Sequence, residues 1–310
     1  MRAAVLLGSG RSKVAETRVA SPGSGEVLLR LEGCGVCASN LPAWQGRAWF
    51  EYPMEAGSPG HEPWGRVAER GDAAGPDVGV RVTGLSWRAY AEFDIARAEH
   101  LVPVPERYDD RPFPGEALAC AMNVFERSGI ERGMQVAVVG AGFIGGMLVQ
   151  AATAAGASVT AFSQRQWSLD RAVDQGAVAA MPLEEGLAEA RDGRSWNCVI
   201  ECTGMQEGLD AASKLVGVRG RLVIAGYHQE GLRSIDIGEW NWKGIDVINA
   251  HERDPARYVA GVRAALEAIE QKRVDPWPLF THSVPLDRLD DAFALMQDRP
   301  DGFTKALLKL

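Results

Sequence analysis

The chain has 310 residues, of which 46% are hydrophobic, and a formal net charge of −8 at pH 7. This length and apolar content suffice for two hydrophobic cores, so we expect a two-domain globular enzyme. The negative charge and the lack of a basic run argue against nucleic acid or an anionic membrane surface as a partner. The apolar part of residues 1–8 is too short for a signal peptide, and no run of about 18 apolar residues occurs. We therefore expect a cytoplasmic protein without a membrane segment.

The first third of the chain is predicted to be rich in strands and loops. Residues 2–7 and 27–31 have strand patterns, with a turn of proline and glycine between them. Aromatic residues are concentrated over 41–52 and 64–90. They indicate core and turn packing or, alternatively, an apolar pocket beside a functional site: Trp44, Trp49, Phe50, Tyr52, Trp64, Trp87 and Tyr90.

The pattern becomes helical from residue 115, and from residue 135 strands and helices alternate. This alternation is typical of a parallel sheet with helices on both faces. Strands are predicted at 135–139, 158–162, 197–201, 221–225 and 245–249, and helices at 143–155, 167–175 and 207–216. Amphipathic helices follow over 258–272 and around 289–296, and 304–310 is predicted to be a strand.

The stretch 136–145, VAVVGAGFIG, contains the most specific pattern in the chain. An apolar strand turns through glycines into a helix, as in a dinucleotide-binding unit. Gly140 allows the tight turn, Gly142 lets a pyrophosphate approach the backbone, and Gly145 lets the helix pack against the strand. The helix N-terminus offers free N–H groups and a positive dipole end to the phosphate. We predict a bound dinucleotide, with Phe143 and Ile144 among its contacts.

Five cysteines in so long a chain do not suggest a disulfide framework. Thiolate and imidazole are ligands that zinc prefers, which makes candidates of Cys34, Cys37, His61, Glu62 and Cys120. The C-x-x-C pair at 34 and 37 has no second pair after it, which argues against a closed structural zinc site. From spacing alone, a catalytic zinc site and simple burial of each cysteine both remain open.

Several motifs occur in the order found in one known family. Residues 33–41, GCGVCASNL, look like its first zinc motif, and residues 60–65, GHEPWG, look like its second. Residues 118–123, LACAMN, fall where the third ligand is found. Residues 198–204, CVIECTG, and 220–226, GRLVIAG, resemble the fourth and fifth strands of its nucleotide domain. From end to end, the chain resembles the medium-chain dehydrogenase/reductase family of zinc-dependent alcohol and polyol dehydrogenases.

The resemblance implies an α/β architecture of two domains. A GroES-like, β-rich catalytic domain would comprise residues 1–120 and 253–310, and a Rossmann domain with a doubly wound parallel sheet would comprise 121–252. The active site would lie in the cleft between them. Chains of this family commonly pair through the edge of the nucleotide-domain sheet, so we expect a homodimer or homotetramer.

The same resemblance implies one catalytic zinc ion per chain. Cys37, His61 and Cys120 would be its ligands, Cys34 a packing residue, and Glu62 an adjacent carboxylate. If Cys120 is not the third ligand, Glu116 is the alternative, and Glu62 could also complete the site.

The chain departs from the family pattern around this site. The lobe of four cysteines that holds a structural zinc has no counterpart between residues 82 and 105. Asn40 stands where many members have an aspartate that orients the zinc-binding histidine, so metal affinity is expected to be lower. Pro42 replaces the histidine that ends the proton relay in alcohol dehydrogenases, which leaves Ser39 to pass the proton.

The second nucleotide-domain strand ends in Ser163-Gln164-Arg165 and lacks the carboxylate that an NAD site uses to bind the ribose. A serine leaves room for a 2′-phosphate and Arg165 can bind it, so NADP(H) is favoured over NAD(H). Alternatively, Arg165 is only a solvated charge at a helix start. Thr203 and Gly226 are further expected cofactor contacts. By resemblance, Lys305 would contact the pyrophosphate, unless it is a plain surface lysine.

These features predict a zinc-dependent, NADP(H)-linked oxidoreductase that interconverts an alcohol and its carbonyl. Zinc would lower the pKa of the substrate hydroxyl and Ser39 would relay the proton, with Glu62 able to replace water at the metal. The alternative within enzymes is an NADPH-dependent reductase of C=C or C=N bonds whose zinc is non-catalytic or absent. A nucleotide-binding protein with a degenerate site is the alternative outside enzymes.

Overall fold

The computed structural model describes residues 1–72 and 75–310. Its strands, numbered in chain order, are β1 (Arg2–Gly8), β2 (Arg11–Glu16), β3 (Glu26–Gly35), β4 (Glu62–Arg70), β5 (Arg81–Gly84), β6 (Phe93–Arg97), β7 (Leu101–Pro103), β8 (Gln135–Val139), β9 (Ser158–Phe162), β10 (Ala179–Met181), β11 (Trp196–Glu201), β12 (Val216–Ile224), β13 (Asp246–Asn249), β14 (Phe280–Pro285) and β15 (Lys305–Lys309). Its α-helices are α1 (Leu41–Gln45), α2 (Gly115–Ser128), α3 (Phe143–Ala154), α4 (Gln166–Asp174), α5 (Leu183–Arg191), α6 (Gln206–Leu215), α7 (Ile237–Lys243), α8 (Pro255–Glu270) and α9 (Leu289–Asp298). Within the described ranges, none of the helices combines the length and the apolar character needed to cross a bilayer.

The chain forms two compact units. The first contains residues 1–119, 253–265 and 277–310, and the second contains 120–252 and 266–276. The second unit therefore includes the end of α8 and a short segment after it, which the family resemblance assigns to the other domain. Hydrogen bonds explain this, because the side-chain amide of Gln150 on α3 bonds both the N–H and the C=O of Asp275.

The first unit is built on a mixed sheet with the strand order β14-β15-β3-β4-β5-β7, in which β6 also pairs with β3. A separate antiparallel pair joins β1 and β2. The long strand β3 is central, since it pairs with β4, β6 and β15. Its residues Val27, Leu29 and Leu31 lie in a core that also includes Phe293 of α9. The carboxyl end of β3 thus lies between a strand from the start of the chain and one from its end.

The second unit confirms the predicted parallel sheet. Its six strands are ordered β10-β9-β8-β11-β12-β13, and neighbours run parallel. Val136 and Val138 of β8 pack into the core that contains residues of α3, whereas Ala137 and Val139 pack into the core that contains residues of α6. Helices therefore cover both faces. The strand order reverses between β8 and β11, so the carboxyl ends of these two strands border the crevice where such sheets bind ligands. The sequence analysis did not predict β10, α5 or α7.

Candidate metal and cofactor sites

In the first unit, Cys37, His61 and Glu62 come together at the carboxyl end of β3 and the start of β4. Their ligand atoms, a sulfur, a ring nitrogen and a carboxylate oxygen, all lie within 4.8 Å of one another. Cys34 points into the core instead and is 0% exposed, as expected of a packing residue. Burial and the charge of Glu62 raise the pKa of the Cys34 thiol well above its usual value, which keeps this thiol protonated.

Two glycines make this cluster possible. Gly35 pairs with Glu62 across β3 and β4, and a Cβ at position 35 would lie 1.7 Å from Glu62 Oε2. Gly60 precedes His61, and its Cβ would lie 2.5 Å from the backbone nitrogen of Tyr90. A side chain at position 35 would displace the Glu62 carboxylate, and one at position 60, next to His61, would collide with the backbone at Tyr90.

The ring of His61 is oriented by a backbone carbonyl. Its Nδ1 lies 2.9 Å from the oxygen of Pro59, so Nδ1–H donates there and Nε2 is left for a metal. Asn40, which occupies the position of the family's orienting aspartate, donates its amide to the same Pro59 oxygen at 3.0 Å and to the Tyr90 hydroxyl at 2.8 Å. Asn40 thus reaches His61 only through the shared carbonyl.

The electrostatics of the cluster favour positive charge. Burial by itself lowers the pKa of His61, but a hydrogen bond to Cys37 and the charges of Cys37, Glu116 and Glu62 outweigh it and raise the pKa to about 10. A site that holds a proton this strongly is rich in negative charge. A divalent cation would satisfy the same groups in place of the proton.

Lys305 lies against Glu62. Its ammonium nitrogen is 2.7 Å from Oε2 and 2.9 Å from Oε1, and both side chains are almost fully buried. The same nitrogen donates to the carbonyl of Val36 at 3.4 Å. The interpretation of Lys305 as a surface lysine is therefore wrong. Its predicted contact with the pyrophosphate remains a prediction.

The hydroxyl of Ser39 lies beside Cys37. Its Oγ lies 3.2 Å from the sulfur of Cys37 and 3.3 Å from Oδ1 of Asn40. The residue lies in a short 3₁₀ turn, Ala38–Asn40, that leads directly into α1, where Pro42 is buried. The hydroxyl has one proton and two acceptors within reach, so it can switch between them by rotation.

Glu116 and Cys120 lie one turn apart on α2. Glu116 is buried and belongs to the first unit, whereas Cys120 is half-buried and is the first residue of the second. The charge of Glu116 raises the pKa of His61 and that of Lys305, although burial acts to lower both. The negative charge of Glu116 therefore acts on the side chains of the cluster.

In the second unit, the glycine-rich turn after β8 has the geometry of a phosphate cradle. Gly140 has a φ of +98°, which strongly favours glycine, and a Cβ on Gly145 would lie 2.1 Å from the Gly140 oxygen. Gly142 caps α3, and no atom lies within 4 Å of where its Cβ would be. Phe143 and Ile144 form the first turn of α3. The backbone is thus open to a ligand at the N-terminus of the helix.

The end of β9 has no carboxylate. Ser163 accepts the backbone N–H of Arg165 at 3.2 Å, and Arg165 donates to the hydroxyl of Ser168 at 2.8 Å. Arg165 is the N-cap residue of α4. A hydroxyl and a guanidinium therefore stand where an acidic residue would exclude a 2′-phosphate.

The turn after β11 touches the glycine-rich turn. A Cβ on Gly140 would meet the side-chain methyl of Thr203 at 2.8 Å, and one on Gly226 would meet the backbone nitrogen of Gly204 at 2.2 Å. The sequence analysis did not single out Glu201, which is fully buried and bonds both Thr203 and Gly204 through its carboxylate. Its position as the charged last residue of an otherwise apolar strand end was the signal that could have identified it.

Some aromatic residues of the first unit are buried in its core, and others are exposed. Trp44 stacks on Phe293 with ring centroids 5.4 Å apart, and Tyr90 contacts the same ring edge-on. Trp64 is buried as well, whereas Trp49 and Trp87 are 60% and 63% exposed. The ring of Trp87 lies 6.4 Å from that of His61. Trp87 is therefore an exposed apolar surface beside the metal cluster.

These two sites fit zinc and a dinucleotide. Thiol, imidazole and carboxylate donors are the set that zinc binds, and the cradle lacks every Cβ that would block a pyrophosphate. Residues 23–106 match the model of the alcohol dehydrogenase GroES-like domain, and residues 144–267 match that of the zinc-binding dehydrogenases. Together, sites and matches define an oxidoreductase that uses zinc and a nicotinamide cofactor and acts on CH–OH groups. The chain belongs to the zinc-binding medium-chain dehydrogenase family, as the resemblance predicted.

Individual relatives are distant in sequence but cover 92–100% of the chain. A sorbitol dehydrogenase from Halalkalibacterium halodurans is 27% identical over 92% of this chain and 92% of its own length. Among solved structures, a protein named as a zinc-binding dehydrogenase from Sinorhizobium meliloti 1021, bound to NADP, has a TM-score of 0.85 at 23% identity and covers 100% of this chain and 99% of its own. An alcohol dehydrogenase from E. coli CFT073, complexed with NADH, has a TM-score of 0.85 at 20% identity, with coverage of 100% and 99%. These structures support the fold.

Proposed function

We propose that this protein is a zinc-dependent, NADP(H)-linked dehydrogenase that interconverts a polyol or other secondary alcohol and its carbonyl. The cluster of Cys37, His61 and Glu62, with ligand atoms within 4.8 Å, is the observation that carries the proposal. The similarity to sorbitol dehydrogenase supports a polyol, and the exposed ring of Trp87 beside His61 offers an apolar surface for the carbon chain.

Cys37 and His61 would hold the zinc ion through Sγ and Nε2. When bound there, zinc supplies a Lewis acid for the substrate oxygen and the nicotinamide supplies the hydride acceptor or donor. For the third ligand three candidates stand: Cys120, predicted from the sequence; Glu62, whose carboxylate lies with Cys37 and His61 within 4.8 Å; and Glu116, whose charge acts on His61.

The chain's own residues have three tasks in this reaction. Pro59 fixes the tautomer of His61 through its carbonyl. Ser39 would accept the proton of the substrate hydroxyl at Oγ as it releases its own proton to solvent water, and Asn40, whose Oδ1 lies 3.3 Å away, would orient the serine hydroxyl through a hydrogen bond. Lys305 balances the charge of Glu62, so this carboxylate can lie beside the metal position without adding a net negative charge there.

The preference for NADP(H) is supported by Ser163 and Arg165. Neither residue repels a 2′-phosphate, and the guanidinium can donate charge-assisted hydrogen bonds to it. Thr203, Gly226 and the cradle glycines would contact the remainder of the cofactor. The predicted homodimer or homotetramer is supported by the position of β13 at the edge of the parallel sheet, and light scattering of the purified protein tests it.

Metal analysis of freshly purified protein tests the zinc proposal first. We expect about one zinc per chain, and loss of alcohol oxidation when a chelator removes it. Protein without zinc that still oxidises alcohols would refute the metal site. Activity assays with polyols, simple secondary alcohols, enones and imines then define the substrate class.

Three single variants identify the third ligand. If Glu116 is the ligand, Glu116→Gln lowers the zinc content and Cys120→Ser leaves it unchanged. The reverse result would return the role to Cys120. Loss of zinc in Glu62→Gln alone would assign it to Glu62, and Cys34→Ser, a buried cysteine outside the cluster, is the matched control.

A further inference from the structure

A hydrogen-bonded network of polar side chains in the second unit has no role in the reaction described so far. Glu201, at the end of β11, is 0% exposed, and its Oε2 lies 2.9 Å from Nε2 of His228. The other ring nitrogen of His228 accepts the Nε–H of Arg233 at 2.9 Å. Arg233 in turn donates to the carbonyl of Gly204 at 3.1 Å and to that of Glu230 at 2.8 Å.

The hydrogen bonds determine the tautomer of His228. Because Nδ1 accepts from a guanidinium, which can only donate, Nδ1 has no proton and Nε2–H donates to Glu201. His228 is therefore a neutral connector between a buried carboxylate and an arginine. It joins the turn after β11 to the loop after β12.

The carboxylate is bound on its other side as well. Oε1 of Glu201 accepts the N–H of Thr203 at 2.5 Å, the N–H of Gly204 at 2.9 Å and the hydroxyl of Thr203. The start of the loop after β12 also contacts the segment after β13, since Nε2 of His251 lies 3.1 Å from the carbonyl oxygen of Gly226. A loop that begins at a strand end is thus bonded to the segments after both neighbouring strands.

The position of this loop, at the carboxyl end of β12, indicates which half of a dinucleotide it faces. In a doubly wound sheet the half with the glycine-rich turn, here β8 to β10, binds the adenine mononucleotide, and the other half, β11 to β13, faces the second mononucleotide. We infer that the network of Glu201, His228 and Arg233 is a positioning device that orders the loop after β12 for the nicotinamide half of the cofactor. The inference rests on the proposed use of a nicotinamide dinucleotide.

Binding of whole cofactor and of its adenine half separates this role from general support of the fold. Affinities are measured by calorimetry for NADPH and for 2′-phospho-ADP-ribose, which lacks the nicotinamide. In His228→Leu, the affinity for NADPH is expected to fall about tenfold because binding must then order the loop, whereas that for the fragment stays within about twofold. His228→Gln, which retains a donor and an acceptor, is expected to recover most of the loss.

Arg233→Gln provides a second variant, should His228→Leu fail to fold. It is expected to show the same selective loss, and His100→Gln, a histidine of the first unit, to show none. Equal weakening of NADPH and the fragment, or no weakening of either, would overturn the inference. Wild-type protein that binds no dinucleotide would refute the proposed function itself. Wild-type protein that binds NADH more tightly would refute only the NADP preference, and the comparison is then made with NADH and ADP-ribose.

Discussion

Replacement of Lys305 by methionine tests how the metal cluster holds its charge. The two oxygens of Glu62 lie 2.7 and 2.9 Å from the ammonium, and the side chains of Lys305 and Glu62 are 6% and 2% exposed. Removing one partner of so deeply buried an ion pair leaves an uncompensated charge, which costs about 3–5 kcal/mol of stability. Methionine retains the length and apolar character of the lysine stem, so the loss reports mainly the charge.

Urea unfolding of chelator-treated protein measures the global stability. Hydrogen exchange of peptides from β4 and β15 measures the local stability around the ion pair. Adding Glu62→Gln to Lys305→Met is expected to recover at least half of the loss, because no net charge then remains buried. The control is Arg288→Met, which breaks an exposed pair with Asp291 and should cost less than about 1 kcal/mol. A loss below about 1 kcal/mol in Lys305→Met would show that the buried pair with Glu62 does not stabilise the protein. If NADPH affinity instead falls about tenfold with stability unchanged, the ammonium contacts the pyrophosphate, as predicted from the sequence.

Three further changes test the cofactor and substrate proposals. Ser163→Asp is expected to shift the ratio of kcat/KM values from NADPH toward NADH by about tenfold or more, through repulsion of the 2′-phosphate, and an unchanged ratio would mean that the ribose is recognised elsewhere. Trp87→Ala is expected to raise KM for the substrate by roughly tenfold while zinc content stays constant, since one aromatic contact is lost; an equal KM would remove Trp87 from the substrate site. Gly145→Ala adds a Cβ 2.1 Å from the Gly140 oxygen and is expected to cost about 1–3 kcal/mol and weaken both cofactors in calorimetry, whereas unaltered binding would contradict the cradle geometry.

The sequence predicted those parts of the molecule that depend on local pattern. The strand, turn and helix around Gly140 were predicted within a residue. Each glycine there is required sterically, and the strand and helix patterns beside it in the sequence show why. Cys37 and His61 were identified through short motifs of the same local kind. The parallel sheet followed from alternation alone, whereas β10, α5 and α7 within the same unit were missed.

The contacts between distant residues were not predictable in this way. Lys305 and Glu62 are 243 positions apart, and their pairing depends on β15 being placed beside β3. The acceptor that orients His61 is the carbonyl of Pro59, and a backbone atom leaves no mark on the identity of the residue. Likewise, no spacing rule connects Glu201 with His228, because the segment between β12 and α7 has no regular structure to fix its register.

The position of β15 in the chain has a consequence for synthesis on the ribosome. Leu308 pairs with Cys34 and Leu307 with Gly35, so the strand that brings Lys305 to Glu62 is made only after the entire parallel-sheet unit has been translated. Until then β3 lacks one neighbour, and Glu62 lacks its cation. A nascent chain can therefore complete its nucleotide cradle before Glu62 acquires its buried counterion.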